Sequence, residues 1–236
     1  MHHLAQMIKL IFFLLLLTSS FLLHAQNLQL HYDMGKTRGY LTSTVELFKP
    51  DKHGSTFFFI DMDYNSAGDA KGVTMAYWEI ARALKFWKFP LAFHTEYNGG
   101  FGQWYNGHFN ENYQIENAFL NGLEYSWNAK DFSKGITFQV LHKYIQGKHK
   151  YSFQLTGVWY LNVANNKISF TGYADFWRED LYFEDIVTKF CFSAEPQIWY
   201  NFNAHFAMGS EVETDVNFGG LKGLHAYPTI GAKYTF

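Results

Sequence analysis

The sequence predicts an all-β protein: a transmembrane, antiparallel, up-and-down β-barrel of about twelve strands. Three observations carry this. Apolar and polar residues alternate nearly everywhere, and no segment shows the 3.6-residue spacing of an amphipathic helix. The alternating runs are about ten residues long, the span of a tilted strand crossing a bilayer. Finally, the chain closes on such a run, YPTIGAKYTF (227–236), with Phe236 as its last group.

The first residues set the compartment. MHHLAQMIK carries a positive charge at Lys9 and precedes the apolar run LIFFLLLL, which Thr18, Ser19 and Ser20 interrupt. That layout reads as a secretory signal with cleavage after Ala25, so residues 1–25 are expected to be a signal peptide and residues 26–236 a single barrel domain. The alternative is an uncleaved N-terminal anchor, but the run is shorter than the roughly 20 apolar residues of a spanning helix.

Composition agrees with a barrel. One residue in five is aromatic (20%), with 25 Phe, 16 Tyr and 7 Trp, yet mean hydropathy is only -0.20. Such an average requires apolar and polar residues to be interleaved. The lone Cys191 excludes an internal disulfide framework. With Lys+Arg 19 against Asp+Glu 21, no bulk charge points to a nucleic acid polymer.

Taken in order, the expected strands are 28–34, 42–49, 55–64, 72–81, 90–97, 118–127, 135–144, 150–161, 167–177, 188–200, 204–215 and 226–236. Short connections at 50–54, 84–89, 128–135, 162–167 and 201–203 read as turns on the side of both termini. Longer ones at 35–39, 65–72, 99–117, 145–150, 177–185 and 217–223 read as loops on the other side. Within strands the faces separate: Phe58, Ile60, Met62 and Tyr64 oppose Phe59, Asp61 and Asp63; Phe206, Met208 and Val212 oppose His205, Glu211, Glu213 and Asp215. A soluble sandwich shares this pattern, with its apolar face turned inward. Strand length favours the membrane, as do aromatics at strand ends (Tyr64, Tyr97, Trp127, Tyr144, Trp159, Trp177, Trp199, Tyr200), which read as interfacial girdles.

A secreted chain ending on an alternating strand with a final Phe resembles the outer-membrane barrels of Gram-negative bacteria. The resemblance implies that this strand, with Phe236, is the signal read by the barrel assembly machinery. Within that class, YLTSTVELFKPDKHGSTFFFIDMDYNSAGDAKG (40–72) is similar to the early part of the Tsx-like, nucleoside-specific channel-forming proteins. The shared features are Glu46 and Phe48 before a charged turn, an aromatic strand ending in Asp63, and a Gly/Asn/Ala/Lys loop. The chain also resembles a Bacteroidetes family of the same size. The resemblance implies a monomeric, cofactor-free channel in the outer membrane that passes nucleosides by diffusion, with no nucleic acid polymer as partner.

From the residues themselves, the polar face collects Glu46, Asp61, Asp63, Glu79, Glu96, Glu124, Asp175, Glu195, Glu211, Glu213 and Asp215 against few cations, Lys143, Lys189 and Lys233 among them. This predicts an acidic lumen that repels phosphate and admits cations or neutral hydroxylated solutes. Phe59, Tyr77, Tyr173 and Tyr227 fall on the same face and offer stacking surfaces for a base. The bland alternative is that these carboxylates merely keep the interior wet. A small barrel with a filled interior and no pore is a further reading, as is an outer-membrane lipid hydrolase. No G-x-S-x-G or H-E-x-x-H occurs, so a hydrolase needs a dispersed set such as His94 with Glu96 or His205 with Glu211. The single Cys191 offers no metal cluster, and the basic GKHK (147–150) is a solvated loop that can also touch lipopolysaccharide phosphates.

Overall fold

The computed structural model describes residues 26–36, 38–148, 151–183 and 186–236. The expected signal peptide, 1–25, lies outside the described residues. Among the described residues, thirteen strands form one sheet: β1 (Gln26–Asp33), β2 (Leu41–Asp51), β3 (Gly54–Tyr64), β4 (Val73–Leu84), β5 (Leu91–Tyr105), β6 (Asn110–Asn128), β7 (Lys134–Ile145), β8 (Ser152–Val163), β9 (Ile168–Phe183), β10 (Ile186–Ala194), β11 (Gln197–Asn201), β12 (Phe206–Val216) and β13 (Leu224–Thr235). Each pairs antiparallel with its neighbours, and β13 pairs with both β12 and β1, so the sheet closes on itself.

β10 and β11 are two halves of one stave, since both lie between β9 and β12. The break falls at Glu195–Pro196, where Pro196 has no N–H to give a ladder. The bulge is still held, by Glu195 N–H on Tyr173 O (3.1 Å) and Val212 N–H on Pro196 O (3.1 Å). Gly172 makes it possible: a Cβ there would come 2.5 Å from Glu195 O. Counted by staves, the barrel has twelve, as the sequence pattern predicts.

The faces sort as expected. Leu28, Leu30, Ile60, Ile80, Leu123, Val140, Leu155, Ile230 and Tyr234 are exposed on the outside, while Gln29, His31, Asp63, His94 and Gln154 are buried within. A closed ladder with an apolar exterior and a polar interior is the arrangement of an outer-membrane barrel, because hydrocarbon offers no partner for an open strand edge. Phe236 sits just past β13, its side chain exposed and its N–H bonded to Gln26 O (3.0 Å).

Two expected loops are strands instead. Residues 99–117 form the tip of a tall β5–β6 hairpin, closed at Asn106–Phe109, where the Asn106 side chain accepts from His108 N–H (2.9 Å) and Phe109 N–H (3.0 Å). The polar run NENYQIEN hides the alternation, but Asn106-Gly107 is itself a hairpin signal, and Gly107 has φ 97°. Residues 177–185 were expected as a loop too; β9 and β10 extend through most of it, and 184–185 lie outside the described residues. Short connections elsewhere use Asn at left-handed positions, such as Asn165 (φ 56°) and Asn166 (φ 63°) between β8 and β9.

At the rim of the short turns, Arg82 of β4 reaches Asp51 with two hydrogen bonds (2.7 and 3.0 Å), and His53 N–H adds a third (2.7 Å). These donors pull the Asp51 carboxyl down from 3.8 to about 2. The clamp is therefore complete above pH 4 and is lost as pH falls through about 2. A carboxyl titration of the folded barrel by NMR checks this, and a midpoint for Asp51 near 4 would contradict it. A second prediction concerns the outer belt: Val140→Arg, at mid-strand facing outward, should cost about 2–4 kcal/mol in reversible unfolding from liposomes. An effect under about 0.5 kcal/mol would mean that this face does not meet lipid.

Candidate functional site: the acidic lumen

The inward residues of successive strands stack into rows. On β2 to β5 they run Thr44–Asp61–Tyr77–Gly100 and Glu46–Phe59–Glu79–Asn98, each a register neighbour of the next. On β8, β9 and the tenth stave they run Thr156–Asp175–Ser193, with Tyr173 and Glu195 beside them. The period of two puts every second residue of each strand on this surface, which is why carboxylates scattered along the chain meet in space.

These carboxylates are held mainly by neutral donors. Thr42 donates to Asp63 (2.7 Å), Asn27 to Glu46 (2.8 Å), Tyr77 to Glu79 (2.7 Å) and Tyr173 to Glu195 (2.7 Å). Thr44 donates to Asp61, Thr156 to Asp175 and Gln197 to Glu211. Among the described residues, Glu46, Asp61, Asp63, Glu79, Asp175, Glu195, Glu211 and Asp215 make no ion pair. Glu79 of β4 and Asp175 of β9 face each other from opposing walls and lie within electrostatic reach. The lumen is therefore acidic here from both sides.

The interior cations lie on rings. Arg38 sits 3.5 Å from the Tyr227 ring centre, Lys143 4.6 Å from Trp177 and Lys233 4.1 Å from Trp199. Arg38 also binds Asp33 (2.8 Å) and Glu213, tying the β1–β2 loop to β12. Lys143 donates to Gln154 (2.7 Å). Aromatic faces stabilise each cation without consuming a lumen carboxylate, apart from those Arg38 takes.

Three expectations are corrected here. Trp177 and Trp199, assigned to the girdles, point inward and are buried, at 4% and 0% exposure. A strand-end position says nothing about parity, and both lie on the inward register with Cys191 and Ser169. Tyr227 is no open stacking surface, since Arg38 covers it. Lys189 is exposed beside the register shift between Thr188 and Phe190, and so adds nothing to the packed interior.

The two tryptophans anchor packed wedges. Trp177 joins Leu120, Leu141, Ile145, Ala118 and Cys191 in an apolar cluster, and Phe218 from the β12–β13 loop meets it edge-on at 5.1 Å. Near the other rim Trp199 packs against His31 (5.5 Å, 82°). Gly209 and Gly231 give this second wedge its room: a Cβ would lie 2.6 Å from Trp199 Cε3 at the first and 2.9 Å from His31 Nδ1 at the second. No sequence signal beyond strand parity could have found these wedges.

Between them, Phe59, Asp61, Tyr77, Glu79, Tyr173, Asp175 and Glu211 keep partial exposure although they face the inside of a closed barrel. They border open space inside the barrel. Glu213 is tied to Arg38, and Glu124 and Glu96 are joined by His94, whose Nδ1 and Nε2 lie 2.9 Å from each. The His94–Glu96 pair expected for hydrolysis thus forms, but both ring nitrogens are occupied by carboxylates. The His205–Glu211 pair does not form: His205 sits in the β11–β12 turn and its Nδ1 donates to Thr235 O (2.7 Å). In GKHK, Lys148 faces Glu116 (3.7 Å) and Glu179 (3.5 Å), and 149–150 lie outside the described residues.

Residues 25–236 match the family described as Domain of unknown function (DUF5020). The chain belongs to this family. No curated protein matches it. Among solved structures, this DUF5020 chain is similar to the KdgM porin, with a TM-score of 0.49 and 10% identity over 89% of this chain and 98% of that one. It is similar also to the Acinetobacter baumannii outer membrane protein Omp33, with a TM-score of 0.44 and 12% identity over 90% and 98% of the two chains. The outer-membrane assignment of the DUF5020 chain rests on the closed ladder and the apolar exterior described above.

One consequence is measurable. Trp199→Ala should cost about 3–5 kcal/mol of stability, as a fully buried Trp does elsewhere, whereas Trp127→Ala on the exposed outside should cost far less. Denaturant unfolding of both variants tests it; equal losses would place Trp199 outside any packed wedge.

Proposed function

We propose that this protein is a passive outer-membrane channel for small neutral hydroxylated or cationic solutes, nucleosides among them. The observation that carries the reading is the open middle of the lumen, lined by Asp61, Glu79, Asp175 and Glu211 without paired cations. An unpaired acidic lining in a low-dielectric wall raises the barrier for anions and lowers it for cations. Carboxylates also accept hydrogen bonds from sugar hydroxyls. Phe59 and Tyr77, 5.9 Å apart, leave an aromatic surface beside Glu79 for a flat base, and Tyr173 offers another on the facing wall.

The hydrolase alternative loses its base in this geometry. A general base needs a free ring nitrogen to take the proton of a hydroxyl, and both nitrogens of His94 face carboxylates. The filled-barrel alternative accounts for the two wedges and leaves the accessible row between them unexplained.

Liposome swelling with adenosine, thymidine, glucose and phosphate, together with single-channel conductance, tests the reading. We expect uptake of the neutral solutes, exclusion of phosphate and a cation-selective current. Absence of both conductance and solute flux would overturn it. The Asp61→Asn/Asp63→Asn double variant should shift the reversal potential in a salt gradient toward zero, and an unchanged potential would remove the acidic lining as the selectivity element. Deleting Phe236 should reduce the amount of barrel assembled in the outer membrane while leaving the conductance of assembled channels the same.

A further inference from the structure

The acceptors along the inward face of β5 are not all used. Glu96 and Asn98 are buried, at 9% and 3% exposure, and Glu96 Oε1 and Asn98 Oδ1 have no hydrogen-bond partner among the described residues. Both groups are fixed by their other atoms. Glu96 Oε2 lies 2.9 Å from His94 Nε2, and Asn98 Nδ2 donates to Glu79 Oε1 (3.0 Å). The free oxygens therefore cannot turn away. A buried acceptor with no donor costs about 1–3 kcal/mol, more when charged, so two of them side by side mark a place that a donor would stabilise.

The surroundings define that donor. Glu79 and Asp175 lie within electrostatic reach of each other, and Glu96 within reach of both. Glu79, Glu96 and Asp175 bring carboxyl oxygens, and Asn98 brings an amide oxygen while its nitrogen donates to Glu79. The basic groups of this region are engaged: Lys143 with Gln154 and the Trp177 ring, and His94 with Glu96 Oε2 and Glu124. A divalent metal would need at least three ligating side chains converging at short range. Among the described residues no group of three His, Cys, Asp or Glu does so. An ammonium group matches a set of acceptors better: it carries three donors, no acceptor and one positive charge, and reaches oxygens at about 2.8 Å.

We propose that Glu79, Glu96, Asn98 and Asp175 form a recognition site for the primary ammonium group of a small hydroxylated amine in the middle of the lumen. The proposal rests on the channel reading, because the solute must enter through the pore. Glu79 and Asp175, which keep partial exposure, meet the ligand first; Glu96 and Asn98 supply the buried oxygens. Phe59, on the same row as Glu79 and Asn98, and Tyr77, on the next row, cover the solute's carbon skeleton.

Glucosamine and glucose test this, being nearly equal in size and differing by one ammonium for one hydroxyl. Calorimetric or NMR titration of the full barrel in detergent should show glucosamine binding at least tenfold more tightly than glucose or N-acetylglucosamine. Glu96→Gln should remove most of that preference, with heat-modifiable migration on gels confirming that the variant is folded. Equal binding of the three sugars would overturn the site, a comparison that needs no variant at all. A preference untouched by both Glu96→Gln and Glu79→Gln would place the ammonium elsewhere and overturn it too. The conductance measurement stays separate: current without amine discrimination refutes the site alone, and discrimination without current or flux refutes the channel alone.

Discussion

Everything in this molecule depends on the pairing of its first strand with its last. Leu28–Tyr234, Leu30–Ala232 and Tyr32–Ile230 are register neighbours, and through them the row of backbone donors on β1 finds acceptors on β13. In water an unpaired edge could be hydrated; in hydrocarbon each orphaned group costs several kcal/mol, so partial closure is not a stable state. Closure also fixes parity. Once β13 meets β1 with Phe236 next to Gln26, the inside and outside of every intervening stave follow from the period of two, and the acidic surface is assembled as a consequence.

The interior then has to reconcile two demands. It must be polar enough to hold water, yet a wall of like charges in an enclosed space repels itself. Neutral donors, Thr44, Thr156, Tyr77, Tyr173 and Gln197, hold the carboxyl groups in place without ion pairs. Lys143 and Lys233 are drawn onto indole rings, which keeps positive charge inside while leaving Glu79, Asp175 and Glu211 unpaired. The apolar wedge around Trp177 and Leu120 supplies packing that a uniformly wet lumen would lack.

The barrel, its twelve staves and its two faces were legible in the sequence because alternation is a local property, readable wherever the period of two is unbroken. The residues of the acidic surface were legible for the same reason, and Asp61, Glu79, Asp175 and Glu211 all lie where parity places them. What escaped is what depends on the third dimension. The tip of the β5–β6 hairpin looked like a loop because its polar run NENYQIEN interrupts the alternation. Trp177 and Trp199 looked like membrane anchors because large aromatics at strand ends usually are, and only the registers with Cys191 and Ser169 reveal that they turn inward. Arg38, which sits outside any strand, had no pattern to announce that it would fold back onto Tyr227.

The approach of Glu79 and Asp175 from opposing walls has a consequence that concerns area. The perimeter of a barrel is set by its strand number, but the area left open inside depends on the side chains that project from its wall. Glu79 on β4, Asp175 on β9 and the two tryptophan wedges thus take up space that the backbone cylinder alone would leave open. Strand number alone is a poor ruler for such a molecule, because two rows of side chains decide how much of its circumference becomes aperture.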